Sequence, residues 1–248
     1  MKNMGSGDLE ISVIIPTYNS ASFLEESVTN VLQQGMRPLE ILIVDDGSTD
    51  ETAKVAQALP GSVRYIHQEN SGPAAARNRG LELAQGNIIA FLDADDLWPE
   101  DKLERQTALL RERPEVEVVQ GFVQWMRLVD SSDGQRRYRP LGEPYASFNL
   151  GAALFRKSVF DRIGYLDATL HHSEDVDWYL RAREQGVSIL VQESIALYYR
   201  IHESNISQDK EKRRSYFLQV IKMSLDRRKE MGKGAARPAA GMKRTRNE

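Results

Sequence analysis

The chain has 248 residues, 28% of them charged, and contains no cysteine. Such a length can bury one full core, and the missing thiols exclude disulfides and cysteine nucleophiles. No run approaches the roughly 18 apolar residues of a membrane span, and Met1 to Glu10 lacks the apolar centre of a signal peptide. The expectation is a cytoplasmic protein that meets membrane only peripherally, at the inner face.

Hydrophobic spacing predicts a strand over 11–15, stopped by Pro16, then a helix over 20–34 with Phe23, Leu24, Val28, Val31 and Leu32 on one side. A strand follows over 40–44. Ser48 and Glu51 have capping-box spacing and open a helix to about 59, closed by Pro60-Gly61. Next come a strand over 63–67 and a Ser71-Gly72-Pro73 turn into an alanine-rich helix through 85. A strand over 88–92, a helix from Pro99 to 113 and a strand over 116–122 complete the first half. Residues 123–151 read as a variable loop or hairpin. The second half predicts a strand over 151–155, helices over 157–163 and from Glu174 to 185, and strands over 187–191 and 195–201. A helix over 210–231 leads into a tail rich in Gly, Ala, Pro, Lys and Arg, expected to be disordered. Alternating strands and helices with short links mean right-handed βαβ units. The fold class is therefore α/β, a Rossmann-like, mostly parallel sheet with helices on both faces. Such sheets bind ligands beyond the carboxyl ends of their strands, where strand order reverses.

Two acidic clusters sit at such ends. Asp45-Asp46 closes the apolar run over 41–44, and Asp93-Ala94-Asp95-Asp96 follows the run over 88–92 without a gap. Crowded carboxylates repel unless something positive sits among them, and hard cations such as Mg²⁺ or Mn²⁺ take carboxylate oxygens. Asp95 is the main candidate metal ligand, with Asp93 able to converge on the same ion; Asp96 suits capping of the helix that Pro99 opens. Pro16-Thr17-Tyr18-Asn19 forms a turn that could meet a nucleobase, although Tyr18 also reads as a packed loop tyrosine. Asp46 could accept a hydrogen bond from a base ring N–H. Asp45 reads as structural, and Ser48, Thr49 and Asp50 read as helix-start residues. Arg77 and Arg79 diverge by roughly 200° on a helix; Arg77 is assigned to the site and Arg79 to solvent.

Residues 12–98 resemble the inverting nucleotide-sugar glycosyltransferases of glycosyltransferase family two, which have the GT-A fold. The resemblance is carried by Ser12-Val-Ile-Ile-Pro-Thr-Tyr-Asn19, Ile43-Val-Asp-Asp-Gly-Ser-Thr-Asp50, Ala76-Arg-Asn-Arg-Gly80 and Phe91-Leu-Asp-Ala-Asp-Asp96. It implies that Pro16, Thr17, Tyr18, Asp46, Arg77 and Asp93 serve the nucleotide, and that Asp93 and Asp95 form a DxD pair bridging the diphosphate through Mg²⁺ or Mn²⁺. A looser match over 151–207 resembles the acceptor side. There Phe160 to Asp167 and Ser173-Glu-Asp-Val-Asp-Trp-Tyr-Leu-Arg181 imply Asp175 as general base. Tyr199-Arg-Ile-His202 is similar to a late segment returning to the diphosphate, so His202 is either a metal or diphosphate contact or a satisfied structural histidine. Trp178 is open between core and acceptor wall, and Asp177 reads as a helix-surface or supporting acid.

The resemblance implies a metal-dependent hexosyltransferase-type enzyme moving a sugar from a nucleoside-diphosphate sugar, most commonly a UDP-sugar, to an acceptor hydroxyl with inversion. Acceptors of the family are glycans, lipid-linked saccharides or proteins, as in cell-envelope polysaccharide synthesis. The Gln-x-x-Arg-Trp motif of processive synthases is missing, which favours single additions. The alternative is a catalytically inactive nucleotide-sugar-binding relative, expected to lack Asp95 or Asp175; both are present. The expected organisation is a flexible 1–10, a nucleotide-sugar half over 11–122, an acceptor half of the same domain over 123–207, a helix over 208–231 and a basic tail over 232–248. Residues 210–248 carry +9 and the remainder −12. A basic segment on an acidic body points either to anionic membrane or to a solvated terminus. Nucleic-acid contact would rest on the tail alone and is not favoured.

Overall fold

The computed structural model describes residues 8–60, 62–130, 136–202, 210–232 and 243–245. The first strands are β1 (Ile11–Thr17), β2 (Glu40–Asp45), β3 (Val63–His67) and β4 (Ile88–Phe91). They alternate with helices α1 (Ala21–Leu32), α2 (Thr52–Gln57) and α3 (Pro73–Leu83), and α4 (Lys102–Glu112) follows β4. The second half contributes β5 (Val118–Asp130), β6 (Arg137–Ala146), a 3₁₀ turn (Leu150–Ala152) and β7 (Ala153–Arg156). It continues with α5 (Ser158–Ile163), α6 (Glu174–Glu184), β8 (Ile189–Ile201), α7 (Lys210–Gly232) and β9 (Lys243–Thr245).

The strands form one sheet in the order β3-β2-β1-β4-β7-β5-β8-β9, with β6 paired to β5. β1 is parallel to both β2 and β4, and β5 is parallel to β8; β7 runs antiparallel between β4 and β5. Alternation along the strands divides the core. Val13, Ile15, Ile41 and Ile43 face one side with Leu24 and Val28 of α1 and Leu103 of α4. Ile14, Leu42 and Val44 face the other with Ala76 and Leu81 of α3 and Trp178 of α6. A Cβ at Gly80 would overlap Ile14, so α3 lies flush against β1. The chain winds from β1 out to β3 and then returns to the other side of β1 as β4. The reversal therefore falls at the carboxyl ends of β1 and β4, where a crevice opens.

Several boundaries differ from the sequence expectation. Pro16 does not stop β1, because the β4 ladder ends at Ile14 and leaves Pro16 no bond to make on that side. The capping box does not form. The Ser48 hydroxyl accepts the Asn19 N–H, and Asp50 takes the cap role by accepting from Thr52 N at 2.9 Å. The two strands expected over 187–191 and 195–201 are one strand, β8, whose irregularities against β5 are absorbed by register shifts. β5 runs on past 122 into a hairpin with β6, one of the two forms left open for that stretch. Within the tail expected to lack structure, Lys243–Thr245 pairs in parallel with the otherwise open edge of β8; the rest of the tail and the Asn205-Ile206-Ser207 sequon lie outside the described residues. Among the described residues no helix is long and apolar enough to cross a membrane.

Candidate active site

The crevice continues into one cleft of about 1380 Å³ along the carboxyl edge of the sheet. Pro16, Thr17 and Tyr18 line it from the end of β1, Asp46 from β2, Asp93 and Asp95 from β4, Arg77 from α3, Asp175 from α6 and His202 from the end of β8. The nine residues assigned to the site from the sequence thus line a single concavity.

At the ends of β1 and β2, Tyr18 is exposed and Thr17 is buried. Asp46 is nearly buried and holds the loop that precedes α3: it accepts from Gln68 Nε2 at 2.7 Å, Ser71 N at 2.9 Å and Gly72 N at 2.8 Å. Asp45 accepts from Ser48 N at 2.8 Å and from the Tyr65 hydroxyl at 2.6 Å, which is the structural role expected of it. Asn19, in the left-handed region at φ 49°, accepts from Thr49 N at 2.8 Å and so clips the loops after β1 and β2 together. A short polar side chain tolerates that backbone. Neither Asn19 nor Gln68 was assigned from the sequence; the left-handed preference of Asn after a strand was the available signal.

The middle of the cleft is built around two arginines. Arg77 is buried and spans it, bonding Asp93 Oδ1 at 2.6 Å and Glu174 Oε1 at 2.7 Å. Arg79 turns outward to Glu82, as helix geometry requires. Arg200, fully buried in β8, donates its Nε to the Asp95 carbonyl and its backbone N–H to Asp96 Oδ1 at 2.9 Å, and pairs with Glu26 at 2.5 Å. Asp96 therefore does not cap α4; its buried carboxylate meets β8 instead. Asp95 Oδ2 lies 2.9 Å from His202 Nε2, and that imidazole stacks on Phe23 with centroids 4.6 Å apart. Burial pushes the Asp93 carboxyl up, against the pull of Arg77, and pushes Asp96 well up with Asp95 and Asp93 adding to it. Both buried carboxyls therefore resist ionisation more than solvated ones do.

Asp93 is turned to Arg77, and among the described residues no three ligating side chains close around a metal. Asp95 and His202 do converge, and Mg²⁺ sites commonly use one or two protein ligands plus substrate phosphate oxygens and water. The donor set fits an ion that arrives with its phosphate.

On the far side, α6 begins at Ser173, whose φ of 65° is a left-handed backbone that costs a non-glycine residue of order 1 kcal/mol or more. That turn places Glu174 against Arg77 and leaves Asp175 lining the cleft, its carboxylate accepting from Val176 N at 2.7 Å. Burial, with the Glu174 carboxylate adding, pushes Asp175 up to about 7. Trp178 is core, packed on Phe155 and Phe160. Asp177 is buried rather than on the helix surface, paired with Arg181 at 2.8 Å and Arg227 at 3.0 Å. Trp125 of β5, Tyr145 of β6 and Tyr199 of β8 form an aromatic wall, with Trp125 ring centroids 6.3 and 6.0 Å from the two tyrosines. Trp125 and Tyr145 come from a hairpin outside every motif, and the motif that holds Tyr199 did not reveal their meeting.

This sheet, with acids at the switch point and a second carboxylate across one cleft, is the GT-A fold of nucleotide-sugar transferases. It superposes on Staphylococcus aureus TarS 1–349 in complex with UDP at a TM-score of 0.67, with 21% identity over 87% of this chain and 64% of that one. It superposes on the Pyrobaculum calidifontis mannosyltransferase PcManGT in complex with GDP-Man and Mn²⁺ at 0.69, with 20% identity over 88% and 64%. The chain belongs to glycosyl transferase family 2, whose family model matches residues 12–164. An uncharacterized glycosyltransferase of Nostoc sp. is 31% identical over 79% of this chain and 66% of its own length. The chain spans from 16% to 66% of the length of the curated relatives it matches.

Proposed function

We propose that this chain transfers a sugar from a nucleoside-diphosphate sugar, a UDP-sugar first among candidates, to an acceptor hydroxyl with inversion and one residue at a time. The observation that carries this reading is the meeting of Asp46, Asp93, Asp95 and Asp175 around one cleft. Pro16, Thr17 and Tyr18 bound the space for the nucleoside, and Asp46 holds the loop that closes it. Arg77 keeps Asp93 oriented, and Asp95 and His202 are the side chains that would hold Mg²⁺ or Mn²⁺. Such an ion, when bound, offsets the charge gained by the departing diphosphate.

Asp175 acts as the general base. Its carboxylate takes the proton of the acceptor hydroxyl as the oxygen attacks the anomeric carbon. Direct displacement with a base and no enzyme nucleophile inverts the anomeric centre. Burial supports the role, because a carboxyl raised to about 7 is a stronger base than a solvated one. A glycan, a lipid-linked saccharide or a protein hydroxyl would lie between Asp175 and the aromatic wall.

The test is a panel of sugar nucleotides with Mn²⁺, scored by thermal shift and by slow donor hydrolysis. One or a few donors should stabilise the chain in a metal-dependent way and be hydrolysed. A shift without hydrolysis or transfer supports the inactive relative instead, and no shift with any donor overturns both.

A further inference from the structure

The outward face of α7 takes no part in the site above. α7 is fixed to α6 by Val220 and Ser224, with Tyr216, Ile221 and Met223 against Leu170 and Leu180. Arg227 reaches from the same inner face to Asp177 and Glu184. At about 100° per residue, Phe217, Leu218 and Leu225 share a second stripe, and they are 45%, 58% and 49% exposed. Arg214 and Arg228 lie within this stripe, and Lys222 and Lys229 run along its edge; all four are exposed. Asp226 and Glu230 fall beyond that edge, away from the apolar centre. Lys229 reaches back to Asp226 at 3.4 Å and Arg228 to Glu184 at 3.7 Å, contacts that exposed side chains exchange readily for others.

Large apolar side chains held in water among cations are the pattern of a helix lying in a bilayer interface. Among the described side chains the apolar stripe is bordered by cations, which complements an anionic lipid surface. The face is also continuous with the cleft, because Arg214 and Phe217 line it beside His171, His172 and Asp175.

We propose that α7 docks on anionic phospholipid through Phe217, Leu218 and Leu225 with Arg214, Lys222, Arg228 and Lys229. Docking turns the acceptor side of the cleft onto the bilayer. Resting on the function proposed above, this favours an acceptor whose sugar is carried on a lipid.

The test is flotation of the full chain with vesicles of phosphatidylcholine alone or mixed with phosphatidylglycerol, at low and raised salt. The chain should float with the mixed vesicles, and raised salt should weaken binding. Leu218→Glu and Leu225→Glu should each weaken binding on the order of tenfold, since each moves a buried leucine into the headgroups as an anion. Lys222→Glu should weaken it at least about fivefold. Thermal midpoint and Mn²⁺–UDP thermal shift serve as controls and should stay at the wild-type values.

The chain has no cysteine, so a single introduced thiol reports orientation cleanly. A solvatochromic label on Leu218→Cys should shift to the blue on mixed vesicles, and one on Lys54→Cys, across the sheet on α2, should not. Flotation that ignores phosphatidylglycerol, flotation untouched by the leucine variants, or a shift at position 54 instead of 218 overturns docking. So does a dimer in solution that Leu218→Glu splits, which would assign the face to a second copy. These measurements need no donor, so a chain that floats yet hydrolyses no sugar nucleotide keeps the docking face and loses the proposed reaction.

Discussion

Replacing Glu174 by Gln should shift the pH profile of the enzyme without removing its base. Asp175 is raised to about 7, first by burial and next by the Glu174 carboxylate. A base works only when ionised, so the profile of kcat/KM has an acid limb at that value. With a midpoint near 7, about one-tenth of the carboxylate is ionised at pH 6 and about nine-tenths at pH 8, roughly a tenfold gain. Gln at 174 keeps an oxygen for the Arg77 guanidinium but removes the neighbouring negative charge, so the limb moves toward acid. Donor turnover measured across this range in wild type and Glu174→Gln reads the effect directly. Asp175→Asn should lose the limb along with a hundredfold or more of the rate, the usual share of a positioned base. The same substitution should stabilise the fold. A carboxyl with a folded pKa above its unfolded value costs stability as pH rises from the unfolded to the folded pKa, here from about 4 to about 7. The gain from Asn should therefore be small at pH 4 and grow to a plateau above pH 7, of about 1–2 kcal/mol after allowing for partial exposure. A limb near pH 4 in wild type, or one unmoved by Glu174→Gln, would refute the reasoning.

Other outcomes follow from the same geometry. Arg77→Met leaves Asp93 and Glu174 facing each other without their shared cation, and should cost about 3 kcal/mol in denaturant unfolding; a loss under 1 kcal/mol would show that the pair is solvated. Asp95→Ala and His202→Ala should each abolish the Mn²⁺ dependence of UDP binding by calorimetry while leaving the thermal midpoint within a few degrees. Gly80→Ala, with its Cβ driven into Ile14, should destabilise by about 1–3 kcal/mol, whereas Arg79→Ala on the same helix should be silent. Trp125→Ala should raise the apparent KM for acceptor and leave donor hydrolysis unchanged; an equal loss of both would place the aromatic wall on the donor side.

Much of the fold was legible because its first half is built from short, strongly patterned units. Apolar runs ending in acids gave β2 and β4 and the acids at their ends, and helix angle showed that Arg77 and Arg79 face apart, though not which of them faces inward. What failed was local chemistry overridden by distant partners. Ser48 has capping-box spacing but is claimed by Asn19, and Asp96 looks like a helix cap but is claimed by the β8 backbone. Both competing contacts join residues far apart in the chain, which no local window contains. Glu174 was passed over as the neighbour of a more interesting acid; only its ion pair with Arg77 reveals its place. The aromatic wall depends on the pairing of β5 with β6 and β8, a register that alternation alone does not set.

Arg77 has a consequence for how this architecture can be altered. One guanidinium touches the acid that closes β4 and the glutamate that opens α6, which carries the proposed base, so the two sides of the cleft are referenced to a single rigid fork. A chimera that imports α6 from a relative without a carboxylate at the position of Glu174 would leave Arg77 paired with Asp93 alone and free α6 to drift from β4. Recombination of specificity should therefore succeed when crossovers carry residues 77 and 174 from the same parent, and fail when they separate them.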